Sequence, residues 1–230
     1  MHYKRFPLGA LWTNGYLFWD DGGEAFFVDP GGDATEVLEF IKASAGSGGA
    51  GGTSPALKLR KVLLTHGHLD HFAGLRSLEP VVGNEIYIGH GDAYRLREPA
   101  QALQDLLGIQ CEPITDFHEL KEGDVLRVGE MEIQVMETPG HTEGGVCYLI
   151  SEDQARAGSD LMSEEKLLAS GDTLFAQSVG RTDLDGGDST VLEASLRRLA
   201  SLPDSLSVLP GHGPETSIGT ERKRNPFWPK

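Results

Sequence analysis

Residues 65–71 read "THGHLDH": Thr65, His66, Gly67, His68, Leu69, Asp70 and His71 put three imidazoles and a carboxylate directly behind the apolar run "LRKVLL". In extended backbone His66 and His68, two apart, face one way, whereas Asp70 and His71 open a helix and aim elsewhere. The stretch is therefore either one crowded metal site or the shared half of two.

Three more apolar, strand-like runs end in the same residue types: "IQVMETPGH" at His141, "LLASGD" at Asp172 and "LSVLPGH" at His212. Two of these ends repeat Pro-Gly-His, where Gly140 and Gly211 let the backbone bend after a residue whose φ is fixed. Side chains at strand ends along one sheet edge converge readily. A tetrahedral zinc takes four ligands, so His66, His68, Asp70, His71, His141, Asp172 and His212 together suit two ions.

At 230 residues, with 39% hydrophobic content and 30 glycines, the chain is expected to form one domain, 1–230, rich in strands and tight turns. A net charge of −15 opposes DNA, RNA and anionic lipid, so neither nucleic acid nor membrane is an expected partner. The cysteines are two, Cys111 and Cys147, too few for a disulfide framework. The start "MHYKRFPLGALW" lacks a signal-peptide apolar region, and no run reaches about 18 apolar residues, so a cytoplasmic location is expected.

Outward from the motif, "YKRFPL", "LWTNGYLFW" and "EAFFVDPGG" predict an antiparallel meander, and residues 33–43 an amphipathic helix. Residues 44–55 are Gly/Ser-rich and read as a flexible loop, and 151–166 as a polar insertion. Residues 85–89 suggest a strand, 91–108 a helix broken at Pro99, and 188–200 a helix before the last strand. Strands then helix, twice over, imply two packed sheets with helices outside.

From "HGHLDH" through "TPGHTEGGVCY", "SGDTLF" and "VGRTDL" to "LPGHGPET", the chain resembles the metallo-β-lactamase superfamily, and within it the compact glyoxalase II-like (hydroxyacylglutathione hydrolase-like) hydrolases. The resemblance implies a four-layer αββα sandwich. It also implies one divalent metal on His66, His68 and His141, a second on Asp70, His71 and His212, and Asp172 bridging both. Zinc is the expected metal, and the His and Asp donors suit iron or manganese as well. Hydrolysis by a water shared between the ions needs no serine or cysteine nucleophile, with Asp70 and Asp172 orienting that water.

The expected substrate is a small acyl thioester such as S-lactoylglutathione, or a related ester. Larger glyoxalase II enzymes carry a helical C-terminal substrate domain; here residues 213–230 are expected to form a short tail like that of the compact relatives, with Arg222, Lys223 and Arg224 as candidate substrate contacts. The pocket is expected to draw on that tail and on residues 90–115. Arg181 either binds a substrate carboxylate or pairs with Asp183 to pin a loop beneath the metals. "GRTD" segments also occur in persulfide dioxygenases, so the alternative activity is a mononuclear iron dioxygenase on His66, His141 and Asp172. A β-lactamase, and a metal-binding protein without catalysis, are less favoured.

Overall fold

Alternation along His2–Leu8 (β1) buries Phe6 and Leu8, and Thr13–Trp19 (β2) is buried almost throughout, so β1 lies at an edge and β2 inside a sheet. In a computed structural model describing residues 1–45, 55–101, 104–105, 108–152 and 166–229, these strands pair antiparallel with each other and with Glu24–Val28 (β3). The expected meander is present. Lys58–Leu64 (β4), Ile86–Gly89 (β5) and His118–Leu120 (β6) then extend the sheet in parallel, in the order β1-β2-β3-β4-β5-β6.

The second sheet is built from Val125–Val128 (β7), Met131–Glu137 (β8), Val146–Glu152 (β9), Leu167–Gly171 (β10), Ser207–Pro210 (β13) and Thr216–Ser217 (β14). Its order is β14-β13-β10-β9-β8-β7. Leu174–Phe175 (β11) and Ser178–Val179 (β12) form a separate two-stranded hairpin. Strand β9 is antiparallel to both β8 and β10, and β13 is parallel to β10. Strands β8, β10 and β13 therefore run the same way and finish at the same edge.

Three apolar clusters define four layers. Between the sheets lie Phe18, Phe26, Leu63, Ile133, Tyr148 and Leu209 among others. The outer face of the first sheet packs on Thr35–Ser44 (α1), Leu69–Phe72 (α2), Leu75–Val82 (α3) and Ala93–Arg97 (α4). The outer face of the second packs on Ser189–Leu199 (α5) and Ile218–Arg224 (α6). This is the expected αββα sandwich.

Helix α5 forms where expected because Asp188 caps it, accepting from the Thr190 and Val191 amides at 2.8 and 3.0 Å, and because Leu192, Leu196 and Leu199 share its buried face. Helix α4 stops short of the expected break. Glu98, at φ −133° and ψ 72°, already leaves the helical region, since the ring of Pro99 crowds the residue before it. The loop at 44–55 and the insertion at 151–166 lie almost wholly outside the described residues. Among the described residues no helix is long and apolar enough to cross a membrane.

Candidate metal centre

Four strand ends meet. The loop after β4 carries His66, His68, Asp70 and His71, while β8, β10 and β13, ending together, deliver His141, Asp172 and His212. His66 Nε2 lies 3.1 Å from His68 Nδ1, which lies 2.9 Å from His141 Nε2. Bonds of about 2.0–2.1 Å to one tetrahedral ion would set ligand nitrogens about 3.3 Å apart, close to what these imidazoles adopt. On the other side His212 Nε2 is 3.3 Å from Asp70 Oδ2, and His71 Nε2 is 3.7 Å from that same oxygen.

Asp172 stands between the two groups. Its Oδ1 faces His71 Nε2 at 3.4 Å, and its Oδ2 faces both His141 and His212 at 3.6 Å. Three triads, His66-His68-His141, His66-His71-Asp172 and Asp70-His71-His212, each keep their donor atoms within 4.8 Å of one another. The fit to a metal is tested by what lacks a partner. His71 Nε2 and Asp172 Oδ1 are buried with no hydrogen bond, although a polar atom so placed is costly unless something else satisfies it.

The site sorts its protons by neighbourhood. Burial, with the charges of His71 and His141 beside them, holds His66 well below the usual imidazole value and His68 down to about 3, so both are neutral donors at neutral pH. Burial alone would also depress His71, but Asp172, Asp29 and Asp70 outweigh it and raise that imidazole. His212 is likewise raised by Asp70 and Asp172 against the pull of burial. Burial pushes the Asp70 and Asp172 carboxyls up, and the nearby imidazoles, His71 foremost, bring both below the ordinary range. Two ionised carboxylates and a set of imidazoles form a pocket for cations.

The buttressing residues escaped the sequence reading. Asp29, ending β3 beside β4, accepts from the Thr65 amide at 2.8 Å, the Thr65 hydroxyl at 2.6 Å and His71 Nδ1 at 2.9 Å. Asp92, just beyond β5, accepts from the Gly67 amide and the Thr142 hydroxyl, both at 2.7 Å, and from the Gly144 amide at 2.9 Å. Thr13 Oγ1 donates to Asp70 Oδ2 at 3.2 Å. Asn14 brackets the His212 loop, its amide on Gly211 O at 2.7 Å and its Nδ2 on Gly213 O at 2.9 Å. The available signal was the one that revealed Asp172: an Asp at the end of an apolar run, as in "FFVD".

The two Pro-Gly-His turns use glycine for different reasons. Gly140 sits at φ +130°, as a sharp bend requires. Gly211 instead gives room: a Cβ there would lie 2.4 Å from Asp172 Oδ1 and 2.7 Å from His71 Cε1.

The remaining expected residues lie around this centre. Arg181 makes a two-pronged pair with Asp183 at 2.7 and 2.8 Å, and its backbone carbonyl accepts from His141 Nδ1 at 2.7 Å. The guanidinium is therefore paired with its own loop, at the surface. Arg222 is engaged within the fold: its Nε donates to Asp204 Oδ1 at 2.7 Å and its Nη2 to Ala200 O at 3.0 Å, so it ties α6 to the chain after α5. Lys223 and Arg224 are exposed in the last turn of α6. From the expected 90–115 segment, Tyr94, Arg95, Glu98 and Ala100 do line a cavity of about 140 Å³ next to His68. A larger cavity, about 550 Å³ and lined by His2, Trp19 and Phe40, shares no residue with the cluster.

Residues 8–155 and 158–212 match the family model described as the metallo-beta-lactamase superfamily. Among curated proteins, the chain is 32% identical to the hydroxyacylglutathione hydrolase GloC of Haemophilus influenzae, over 99% of this chain and 98% of that protein. It is 30% identical to the probable metallo-hydrolase YqgX of Bacillus subtilis, over 99% and 97%. Among solved structures, the BLEG-1 B3 metallo-beta-lactamase superposes with a TM-score of 0.82 at 33% identity, covering 99% of both chains. TTHA1623 in a di-iron-bound form gives 0.77 at 32%, over 97% of this chain and 99% of that one. ETHE1 from Myxococcus xanthus gives 0.68 at 27%, over 98% and 84%.

Proposed function

The chain belongs to the metallo-β-lactamase superfamily and is a metal-dependent hydrolase, and on that premise we propose that it cleaves a small acyl thioester or ester at a two-metal centre. The observation that carries the reading is the Asp172 carboxylate, which faces His71 with one oxygen and His141 and His212 with the other. His66, His68, His141 and Asp172 would hold one ion, and Asp70, His71, His212 and Asp172 the second. When bound, such ions, zinc by preference, supply a water acidified to near neutrality and polarise a carbonyl.

The protein's own contribution is to fix donors. Asp29 keeps a proton on His71 Nδ1, and the Arg181 carbonyl keeps one on His141 Nδ1, so that both Nε2 atoms point inward unprotonated when a cation is present. Asp92 ties the loops that carry His68 and His141 to each other through Gly67, Thr142 and Gly144. A thioester suits such a site because its thiolate leaves without an acid, free thiols having a pKa of about 8.5. The likeness to GloC supports the acyl-thioester class.

Zinc-loaded protein should be assayed against S-lactoylglutathione, other acyl thioesters, an aryl ester and a β-lactam, with His66→Ala as control. The expected result is turnover of at least one thioester, abolished in the variant. No turnover of any thioester or ester, or equal turnover in His66→Ala, would overturn the proposal. A second reading, a mononuclear iron persulfide dioxygenase on His66, His141 and Asp172, draws on the likeness to ETHE1 and on the iron that TTHA1623 binds; oxygen uptake by iron-loaded protein with glutathione persulfide would favour it.

A further inference from the structure

The C-terminal helix brings an acid, not a cation, to the neighbourhood of the metal centre. Glu221 of α6 is fully buried, and Asn225 just beyond is 7% exposed. Glu221 Oε2 accepts from the Gln177 amide at 2.6 Å and from Asn225 Nδ2 at 2.9 Å, while its Oε1 accepts from Thr216 Oγ1 at 2.5 Å. Asn225 Nδ2 also donates to Ser178 O at 2.9 Å, and its Oδ1 accepts from the Phe227 amide at 2.9 Å. These two side chains clasp the turn between β11 and β12. Gln177 there sits at φ +59°, a conformation a non-glycine residue keeps only when its surroundings hold it.

The clasped hairpin reaches the centre at two points. The ring of Phe175 meets His212 edge-on, centroids 6.1 Å apart and planes at 76°. Beyond β12, the Arg181 carbonyl accepts a hydrogen bond from His141 Nδ1. The second point has an anchor of its own, because Gly180 lies so close to Asp172 that a Cβ there would fall 1.9 Å from the Asp172 carbonyl oxygen. The first is held on one side by Leu174, whose carbonyl accepts from Ser170 Oγ at 2.9 Å, and on the other by the clasp. His212, with a side chain 28% exposed, is also the candidate ligand least enclosed by the rest of the protein.

We propose that Glu221 and Asn225 are positioning residues: acting through the β11–β12 hairpin, they hold Phe175 against His212 and so set the affinity of the ion on the Asp70-His71-His212 side. This rests on the reading of His212 as a ligand.

The test compares Asn225→Ala and Glu221→Gln with Arg222→Ala, which loosens the same helix at Asp204 without touching the hairpin. Zinc affinity is read by competition with a chromogenic chelator, and amide hydrogen exchange across 174–179 is read in the metal-free protein. Asn225→Ala and Glu221→Gln are expected to lose exchange protection across the hairpin and to bind one of two zinc ions about 10-fold more weakly, the low end for residues that orient ligands. Arg222→Ala should lower the melting temperature and leave both zinc affinities alone. Should Glu221→Gln fail to fold, Asn225→Ala carries the same readouts. Faster hairpin exchange with both zinc affinities unchanged would overturn the proposal, as would equal zinc loss in Arg222→Ala. If the native protein binds only one zinc, the two-metal reading falls; unaltered hairpin exchange would sink the clasp independently.

Discussion

Replacing Asp29 with Asn should empty half of the metal centre while leaving the fold in place. Asp29 has φ +54°, a region Asn tolerates, so the backbone is not the variable. The Thr65 amide can only donate, which requires the Asn oxygen to take the place of Oδ1 at 2.8 Å. The Asn NH2 then takes the place of Oδ2, facing the Thr65 hydroxyl at 2.6 Å and His71 Nδ1 at 2.9 Å. The hydroxyl can turn and accept. His71 can accept only by moving its proton to Nε2, the buried atom that points at Asp172 Oδ1 from 3.4 Å.

A protonated Nε2 cannot bind a metal. Loss of a residue that orients a ligand histidine costs about 10- to 100-fold in affinity, or about 1.4–2.7 kcal/mol at 1.36 kcal/mol per tenfold. The metal-free protein should lose about 1.5–3 kcal/mol, the scale of one hydrogen bond to a charged group. Chelator competition for zinc, with thermal melts of both forms, measures the two quantities separately. An Asp29→Asn protein that binds two zinc ions with native affinity would refute the tautomer argument.

Gly211→Ala should drive a methyl against Asp172 Oδ1 and His71, whose present clearances would be 2.4 and 2.7 Å; turnover falling by about 100-fold in soluble protein is expected, and native turnover would contradict it. Arg222→Ala and Lys223→Ala should leave KM for an anionic thioester within about twofold and cost at most about 0.2–1 kcal/mol in a melt, as for a partly exposed pair; a several-fold rise in KM would return the tail to the substrate site. Zinc binding near pH 7 should release protons, because His71 and His212 have raised values and must give up a proton to ligate, whereas His66 and His68 are already neutral. Calorimetry in buffers of different ionisation enthalpy counts those protons, and a count of zero would refute the assignment. In the metal-free protein the same two raised imidazoles contribute stability that is complete below about pH 6.5 and lost as pH climbs through their folded values. Denaturant melts that strengthen from pH 7 upward would contradict it.

The seven candidate ligands could be read from the chain because metal binding restricts residue type severely, and "HGHLDH", two "PGH" turns and "SGD" each follow an apolar run. The two sheets were legible for the same reason, since period-two burial and near-continuous apolar runs distinguish edge strands from central ones. Asp29 and Asp92 were not. Each is a single Asp after an apolar run, and what makes them buttresses is that β3, β4 and β5 are parallel neighbours whose ends abut. That adjacency belongs to the topology, which no local pattern states.

The role of Glu221 was illegible for a different reason. Charge in a sequence gives a sign, not a neighbour, and three consecutive cations say nothing of what the acid before them meets. Helical spacing carries part of the answer: Ile218 and Glu221 fall at i and i+3 on one face of α6, with Asn225 as the extended residue that ends it, and all three are buried while Arg222 reaches Asp204 at the surface. An acid on the apolar face of a helix is expensive to bury unless donors await it. Its presence in "SIGTERKRN" therefore implied a set of donors elsewhere in the fold. They are the Gln177 amide, Thr216 and Asn225, and the first of them belongs to the hairpin that leans on His212.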